Sequence, residues 1–338
     1  MVNPVTIKDI ADLLGLSKST VSRALKNHPD INQDTKKLVV EMAEKLRYRP
    51  NTVAMSLRNK KSGIIGMIVP HISSFFFPSV IKGVEYEVNK GGYKLMILHS
   101  NDDCHREEEA CQLLMSSNVE GILISMASTV RQYTHYERMH QYNLPVVFYD
   151  RVPEAYVADK VLVDDYHGAF RAVKHLVNCG KHKIAICLGN PNLLISQNRL
   201  KGYTDALVEA GLVFNSDMVY SGETPEEVEL LTQQILSLPN PPDAIFAISD
   251  LTMSGIMRAI YRANLVVPKD IAVIGFVEEP FASMYHPPVT SIMPMGYEIG
   301  VTAAQLLLKR IALEDNQFVA QTINIASDLV VRESTSVL

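Results

Sequence analysis

A chain of 338 residues with 47% hydrophobic and 20% charged residues is long for one compact core and has the balance of a globular protein of two or three domains. It has no run of about 18 apolar residues, and the start MVNPVTIKDI lacks the basic-then-apolar order of a secretion signal, so a cytoplasmic protein with no membrane partner is expected. The net charge of −5 hides an asymmetry: residues 1–62 carry 12 Lys and Arg against 6 Asp and Glu, and the remainder carries 20 against 31. A basic head on an acidic body suits an anionic polymer at one end only.

The first segment reads as three helices. Ile7, Ile10, Ala11 and Leu14 share a face, with Thr6 as the N-cap and Gly15 as the stop. A second helix runs from about Ser17 to Leu25 and buries Val21, Ala24 and Leu25. A third begins near Asp34, turns Leu38, Val39, Met42, Ala43 and Leu46 inward, and ends at Pro50, because proline disfavours helical geometry in the residue before it. The segment 51–61, NTVAMSLRNKK, could start a helix on an Asn51 cap with Val53, Ala54 and Leu57 on one side. At about three turns it is marginal alone, and reads as a linker that orders on contact.

From Ser62 onward short apolar runs alternate with amphipathic helices. Strands are expected at 63–69, 93–99, 121–126 and 145–150, then in a second series at 161–164, 183–189, 244–249 and 271–276. Near-continuous apolar strands spaced by helices indicate parallel sheets covered on both faces, and two series indicate two doubly wound subdomains. Ligands of such sheets bind outside the carboxyl ends of the strands, which singles out HISSFFF, MASTV, DRVPEA, GNPNLLISQNR, SDLTMS and VEEP.

Cys104, Cys111, Cys179 and Cys187 have no CxxC spacing, and His175 and His182 add no zinc arrangement, so reduced, packed thiols and no metal are expected. No GxGxxG after a strand, GxxxxGK[ST] or GxSxG turn occurs, which argues against an enzyme and against a bound cofactor.

The second helix carries Ser17, Lys18, Ser19, Thr20, Ser22 and Arg23. With the tight turn at Gly15 this matches a helix-turn-helix whose second helix enters a major groove, but an ordinary solvated helix capped by Ser17 fits the residues equally well. The context of a basic linker and a ligand-binding body favours DNA.

TIKDIADLLGLSKSTVSRAL, YRPNTVAMSLR, IGMIVPHISSFFFPSVIKGVE, VEGILIS, FYDR, FAISDLTMSGIMRAI, VPKDIAVIGF, PPVTSI and DLVVRES resemble the lactose and galactose repressor (LacI/GalR) family of bacterial transcription regulators, over essentially the whole chain. The resemblance implies an N-terminal all-α helix-turn-helix domain, residues 1–50, a hinge helix or linker, 51–62, and an α/β periplasmic-binding-protein-like body, 63–338, of two doubly wound parallel-sheet subdomains. The N-subdomain would take about 63–160 plus 293–325, and the C-subdomain about 161–292 plus 326–338.

It further implies a homodimer on a palindromic double-stranded DNA operator, controlled by a small-molecule effector. Matching positions put Lys18, Ser19 and Arg23 on base edges and Ser17, Thr20, Ser22 and Asn27 near the backbone; Thr6, Asn51 and Arg58 join this DNA-facing set. Leu57 falls at the minor-groove lever position, where an apolar wedge kinks DNA, or it packs two hinge helices together. In the body the resemblance places Phe76, Phe77, Met126, Asp150, Ile195, Arg199 and Asp250 at or near the effector cleft. For the phenylalanines core packing is the competing role, and for Asp250 capping of the helix opening at Leu251.

Two departures from the family pattern bear on the ligand. Many members have an effector-binding Asp after the strand IAVIGF, where this chain has Val277 followed by Glu278 and Glu279, so Glu278 is expected to take over that contact or the ligand is less hydroxylated than a free hexose. The loop GNPNLLISQNR is unusually apolar at Leu193, Leu194 and Ile195. With no added C-terminal heptad segment, a dimer is expected. A solute-binding protein without operator function, cytoplasmic or exported, is the alternative, since the body alone would suit it.

Overall fold

The structure, a computed structural model, describes residues 5–48, 62–73, 75–313 and 319–336. Contacts divide the chain into two compact units, Met1–Ser62 and Gly63–Leu338.

In the first unit, α1 (Ile7–Leu14), α2 (Lys18–Leu25) and α3 (Gln33–Lys45) close around a small core of Ile10, Ala11, Val21, Ala24, Val39 and Ala43. Thr6 caps α1 in a reciprocal box: its backbone N–H and its hydroxyl both donate to Asp9 Oδ2 at 2.8 Å, and Asp9 N–H returns a bond to Thr6 Oγ1. These bonds from Thr6 hold the Asp9 carboxyl below its usual range. Gly15, at φ +65°, makes the left-handed turn into α2, and Ser17 Oγ caps α2 by accepting from Thr20 N–H at 3.0 Å. Two expectations are corrected in α3. It ends at Lys45, before Pro50, because Arg47 turns to φ +51° and Tyr48 N–H bonds back to Ala43 carbonyl at 2.8 Å. Leu38 stays 48% exposed, since the stripe through Val39 and Ala43 faces the core and leaves its neighbour a step round the helix.

The second unit holds two six-stranded sheets. The first runs in the order β11(Thr322–Ile325), β5(Asp159–Val163), β4(Val146–Tyr149), β3(Gly121–Ile124), β1(Ile64–Val69), β2(Lys94–His99), all parallel. The second runs β12(Leu329–Val330), β10(Thr290–Ile292), β9(Ala272–Phe276), β8(Ala244–Ala247), β6(Ile184–Leu188), β7(Val219–Ser221), parallel except for β12. Strands such as IIGMIV and AVIGF are apolar throughout because helices cover both faces of each sheet. The strand expected to open the second series at 161–164 instead belongs to the first sheet, where Val161 pairs with Tyr149 and Ile323. The chain therefore passes into the second lobe after Val163, not at 161. It returns after β10 for the helix Gly296–Ala312 and β11, then crosses again to add β12.

Glycines set the helix spacing. The helices Phe76–Lys90 and Gly296–Ala312 meet backbone to backbone: a Cβ on Gly83 would lie 2.2 Å from Tyr297 carbonyl oxygen, and one on Gly300 would lie 2.1 Å from that of Val80. In the second lobe Gly202 lets Leu194–Glu209 approach Asp165–Asn178 in the same way, 2.3 Å separating its added Cβ from Tyr166 oxygen. Gly300→Ala should therefore lower the stability of the body by about 1–3 kcal/mol through overpacking. The readout is a lower urea midpoint with an unchanged denaturant slope; a wild-type midpoint would show that the two helices can separate freely.

Candidate functional site

The first unit presents a polar, basic face. Lys18, Ser19 and Arg23 are exposed on α2, with Ser22 half-buried beside them. Ser17 Oγ lies 2.7 Å from Ser19 Oγ and 2.8 Å from Thr20 Oγ1, a small hydroxyl cluster over the helix N-terminus, which favours a phosphate oxygen. Arg23 rests 3.9 Å from Asp30, an exposed contact of little energy that leaves the guanidinium available. Asn27 is exposed at φ +55° past the end of α2. Thr6 is exposed too, with its hydroxyl committed to the α1 cap. Asn51, Leu57 and Arg58 lie outside the described residues.

In the body a cavity of about 170 Å³ opens between the lobes at the carboxyl ends of their strands. Of the residues singled out above, it brings together Phe76, Phe77, Asp150, Ile195, Arg199 and Asp250. Phe76 and Phe77 come from the start of Phe76–Lys90, and their rings meet edge to face at 5.2 Å; Phe77 is also part of the first-lobe core. Ile195 and Arg199 share a face of Leu194–Glu209, four residues apart.

Arg199 is 8% exposed and heavily engaged. Its Nε donates to Asp165 Oδ1 at 2.8 Å, one terminal nitrogen to the same oxygen at 2.7 Å, the other to Ile248 carbonyl, and its plane lies 3.6 Å over the Phe276 ring. Burial raises the Asp165 carboxyl, with Arg199 pulling it back. Asp150, at φ +59°, accepts from Ser125 hydroxyl at 3.3 Å; burial pushes it up to about 6, against the pull of Arg151 and Arg199.

Asp250 reaches across the cavity. It accepts from Glu278 N–H at 3.1 Å within its own lobe, and the Phe75 and Phe76 amides of the other lobe also bond to it. Burial still pushes it up to about 6. It does not cap its helix, Asp250–Arg262: Ser249 does, exchanging bonds with Thr252.

Two of the expected residues do not line this cavity. Met126 is absent from the cavity wall and packs at the edge of the first-lobe core, its N–H bonded to Arg151 carbonyl. Glu278 is also absent: it is 4% exposed and its Oε1 accepts from Gly296 N–H, across the lobes, at 2.8 Å. Burial, and then Asp250 beside it, push its carboxyl up to about 7, opposed by the Gly296 bond. Val277 is fully buried with Met253, Ala282 and Val289, so the position answers to packing. The apolar loop divides likewise: Leu193 and Ile195 face the cavity, while Leu194 packs on the first-lobe core.

Sequence reasoning missed Asp102, His71, Arg151, Glu223 and Phe276 on the wall. Asp102 is bonded by Arg151 at 2.8 Å and by Ser128 N–H at 2.7 Å, with His71 Nε2 at 3.6 Å. Burial alone would raise it, but His71, Arg151 and Ser128 hold it well below the carboxylate range. His71 and Arg151 stand in strand-end segments that had been singled out; Asp102 follows β2, whose end had been passed over, and Glu223 follows the short β7, which no apolar run announced. Among the described residues no His, Cys, Asp and Glu group is arranged to hold a metal, and no helix is long and apolar enough to cross a membrane.

A helix-turn-helix head joined to a two-lobed, cleft-bearing body defines a class of transcription regulators that join a DNA-binding unit to a small-molecule-binding one. Residues 6–51 match the family of bacterial regulatory proteins, lacI family, and residues 62–333 match the periplasmic binding proteins and sugar binding domain of LacI family. The chain belongs to the LacI family, and is a DNA-binding regulator of transcription rather than an enzyme. The transcriptional repressor PurR of Actinobacillus pleuropneumoniae serotype 3 (strain JL03) is 30% identical over 330 residues, 97% of this chain and 98% of the relative. PurR of Vibrio campbellii (strain ATCC BAA-1116) is 30% identical over 334 residues, 98% and 99%. Among solved structures, a lac repressor dimer bound to operator and an anti-inducer is similar in fold, with TM-score 0.86 and 24% identity over 98% of this chain and 99% of that one. A complex of the regulator CelR with cellobiose gives TM-score 0.73 and 25% identity over 98% and 99%.

The raised carboxyls make stability pH-dependent. Asp150 and Asp250, ordinarily near 3.8, and Glu278, ordinarily near 4.5, titrate at about 6, 6 and 7 in the folded body. A carboxyl with a raised native pKa binds its proton more tightly when folded, so the stability it contributes is full below the unfolded value and lost as pH rises through the native one. His175, lowered by burial, works in the opposite direction. With these three carboxyls and Asp165, also raised by burial, set against one imidazole, the urea midpoint of the body should rise as pH falls from 8 to 5. Asp250→Asn should flatten that rise; a midpoint that falls steadily over this range would contradict the assignment.

Proposed function

We propose that this regulator is a cytoplasmic repressor that binds a palindromic operator as a homodimer and is switched by a small metabolite, a sugar or sugar derivative, held in the cleft between the lobes. The observation that carries the DNA side is the face of α2, where Lys18, Ser19 and Arg23 stand exposed on a helix whose opposite side, Val21 and Ala24, is fixed in a core. A helix anchored in this way can lie in a major groove, with Lys18 and Arg23 reaching guanine acceptors and Ser17, Thr20, Ser22 and Asn27 meeting phosphates. Two such helices in a dimer read half-sites about one helical turn apart.

For the effector side, the support is a cavity whose walls come from both lobes, with Phe76, Phe77 and Asp150 from one and Ile195, Arg199 and Asp250 from the other. A ligand touching both lobes favours one lobe arrangement over another, and that differential affinity is the free energy available to alter DNA binding. The residues expected to form the hinge, Asn51, Leu57 and Arg58 among them, would transmit it by ordering when DNA and a partner hinge supply contacts.

The test is a gel-shift titration of the full chain against a palindromic site upstream of its own gene. Specific binding should fall steeply with salt, Arg23→Ala should weaken it by about 1–3 kcal/mol and relax base preference, and a phosphate-contact loss such as Ser17→Ala should weaken all sequences alike. Equal affinity for operator and random DNA at physiological salt would sink the reading.

A further inference from the structure

Three segments carry the chain between the lobes: the one after Val163, the one from Ile292 to Gly296, and the one from Ile325 to Leu329. The last two lie side by side, Met293 N–H donating to Asp328 carbonyl at 2.8 Å, so whatever fixes one restrains the other. The angle between two lobes joined in this way is set by a few backbone torsions within such segments.

The second of them contains Met295 at φ +57°, a left-handed conformation that persists in a residue with a long side chain only where the surroundings over-determine it. Met295 carbonyl accepts from Ile299 N–H at 3.0 Å, and the next amide, Gly296 N–H, donates to Glu278 Oε1 at 2.8 Å. Glycine is what lets the carboxylate come so close: a Cβ at 296 would lie 2.8 Å from that same Oε1 and 3.0 Å from Ser79 Cβ of the first lobe.

Glu278 is itself immobilised in the second lobe. Its amide donates to Asp250 at 3.1 Å, its carbonyl accepts from Ala282 N–H at 3.0 Å, and it is 4% exposed. The neighbouring Glu279 accepts from Arg332, whose guanidinium also donates to Val289 carbonyl and Ser291 hydroxyl, each at 2.8 Å. Arg332 follows β12 and Ser291 lies in β10, the strands on the second-lobe side of the two adjoining crossings. The Glu278–Glu279 pair is thus braced against the strands that these crossings leave and enter, and the carboxylate of Glu278 reaches over to the first lobe.

We infer that Glu278 is a positioning residue of the switch: by holding Gly296 it locks the crossing segment at Met295, and so fixes how the lobes are set against each other before any metabolite binds. It does so from outside the cavity wall, which separates this role from ligand contact. The lock needs reach and an acceptor oxygen rather than charge, since an amide oxygen accepts from an N–H as a carboxylate does. That its effect passes to DNA rests on the proposed control of the operator by lobe arrangement.

Hydrogen exchange resolved to single amides of the full-length protein tests the lock, with Glu278→Gln and Glu278→Asp as paired variants. Glu278→Gln keeps both length and oxygen and should leave Met293 and Gly296 amides at wild-type rates. Glu278→Asp keeps the charge on a shorter side chain, and both amides should exchange about tenfold faster or more, with the amides of β1 and β6 at wild-type rates in both variants. In a gel-shift titration without metabolite, Glu278→Asp should change operator affinity by about fivefold or more, and Glu278→Gln should not. Wild-type exchange at Gly296 in Glu278→Asp, or equally fast exchange in Glu278→Gln, overturns the inference. Faster exchange in Glu278→Asp with unchanged operator affinity overturns the control of the operator by lobe arrangement and leaves the lock standing.

Discussion

A guanidinium buried where strands end must be neutralised, and the second lobe is arranged around that requirement. Arg199 joins four pieces of the chain that are distant in sequence: its own helix, the start of Asp165–Asn178 through Asp165, the end of β8 through Ile248, and the end of β9 through Phe276. Removing one partner of such a buried pair leaves an unpaired charge and costs about 3–5 kcal/mol, far more than a surface pair contributes. The cleft floor is therefore rigid before any ligand arrives. The same engagement takes the cation out of circulation, which is why a wall containing two arginines remains acidic.

The division of charge along the chain has the same logic at larger scale. The excess of cations in residues 1–62 and of anions beyond them keeps the acidic body from competing with the α2 face for DNA, since like charges repel the body from the phosphate backbone. Two chemistries that would interfere on one surface are placed on separate compact units. What joins them functionally is a difference in ligand affinity between lobe arrangements, so no chain of side-chain contacts is needed to explain control.

Much of this was legible in the sequence because it depended on local pattern. The apolar runs located eight strands to within a few residues, and Thr6, Gly15 and Ser17 marked caps and turns that the structure contains. The errors share a cause. Strand β5 was given to the wrong lobe because an apolar run carries no record of which sheet it pairs with. The residues Leu38, Met126 and Glu278 lie elsewhere than expected because family position or helical period fixes an address on the chain, whereas the direction of a side chain is fixed by what packs on it. Glu223 escaped because the strand before it is three residues long and has no apolar run to announce it, and Asp102 because the segment after the expected strand 93–99 was not among the strand ends singled out.

The carboxylates that departed from expectation also say how the lobes meet. Asp250 takes amides from Phe75 and Phe76, Glu278 takes one from Gly296, and the Phe75 ring stacks on Phe281 at 4.4 Å. Each of these bonds runs from one lobe to the helix-start backbone of the other, where amide groups lack partners within their own helix. Along this edge the lobes hold one another without a ligand, and apart from the Phe75–Phe281 ring contact the bonds come from main-chain amides that no change of side chain at 76 or 296 removes.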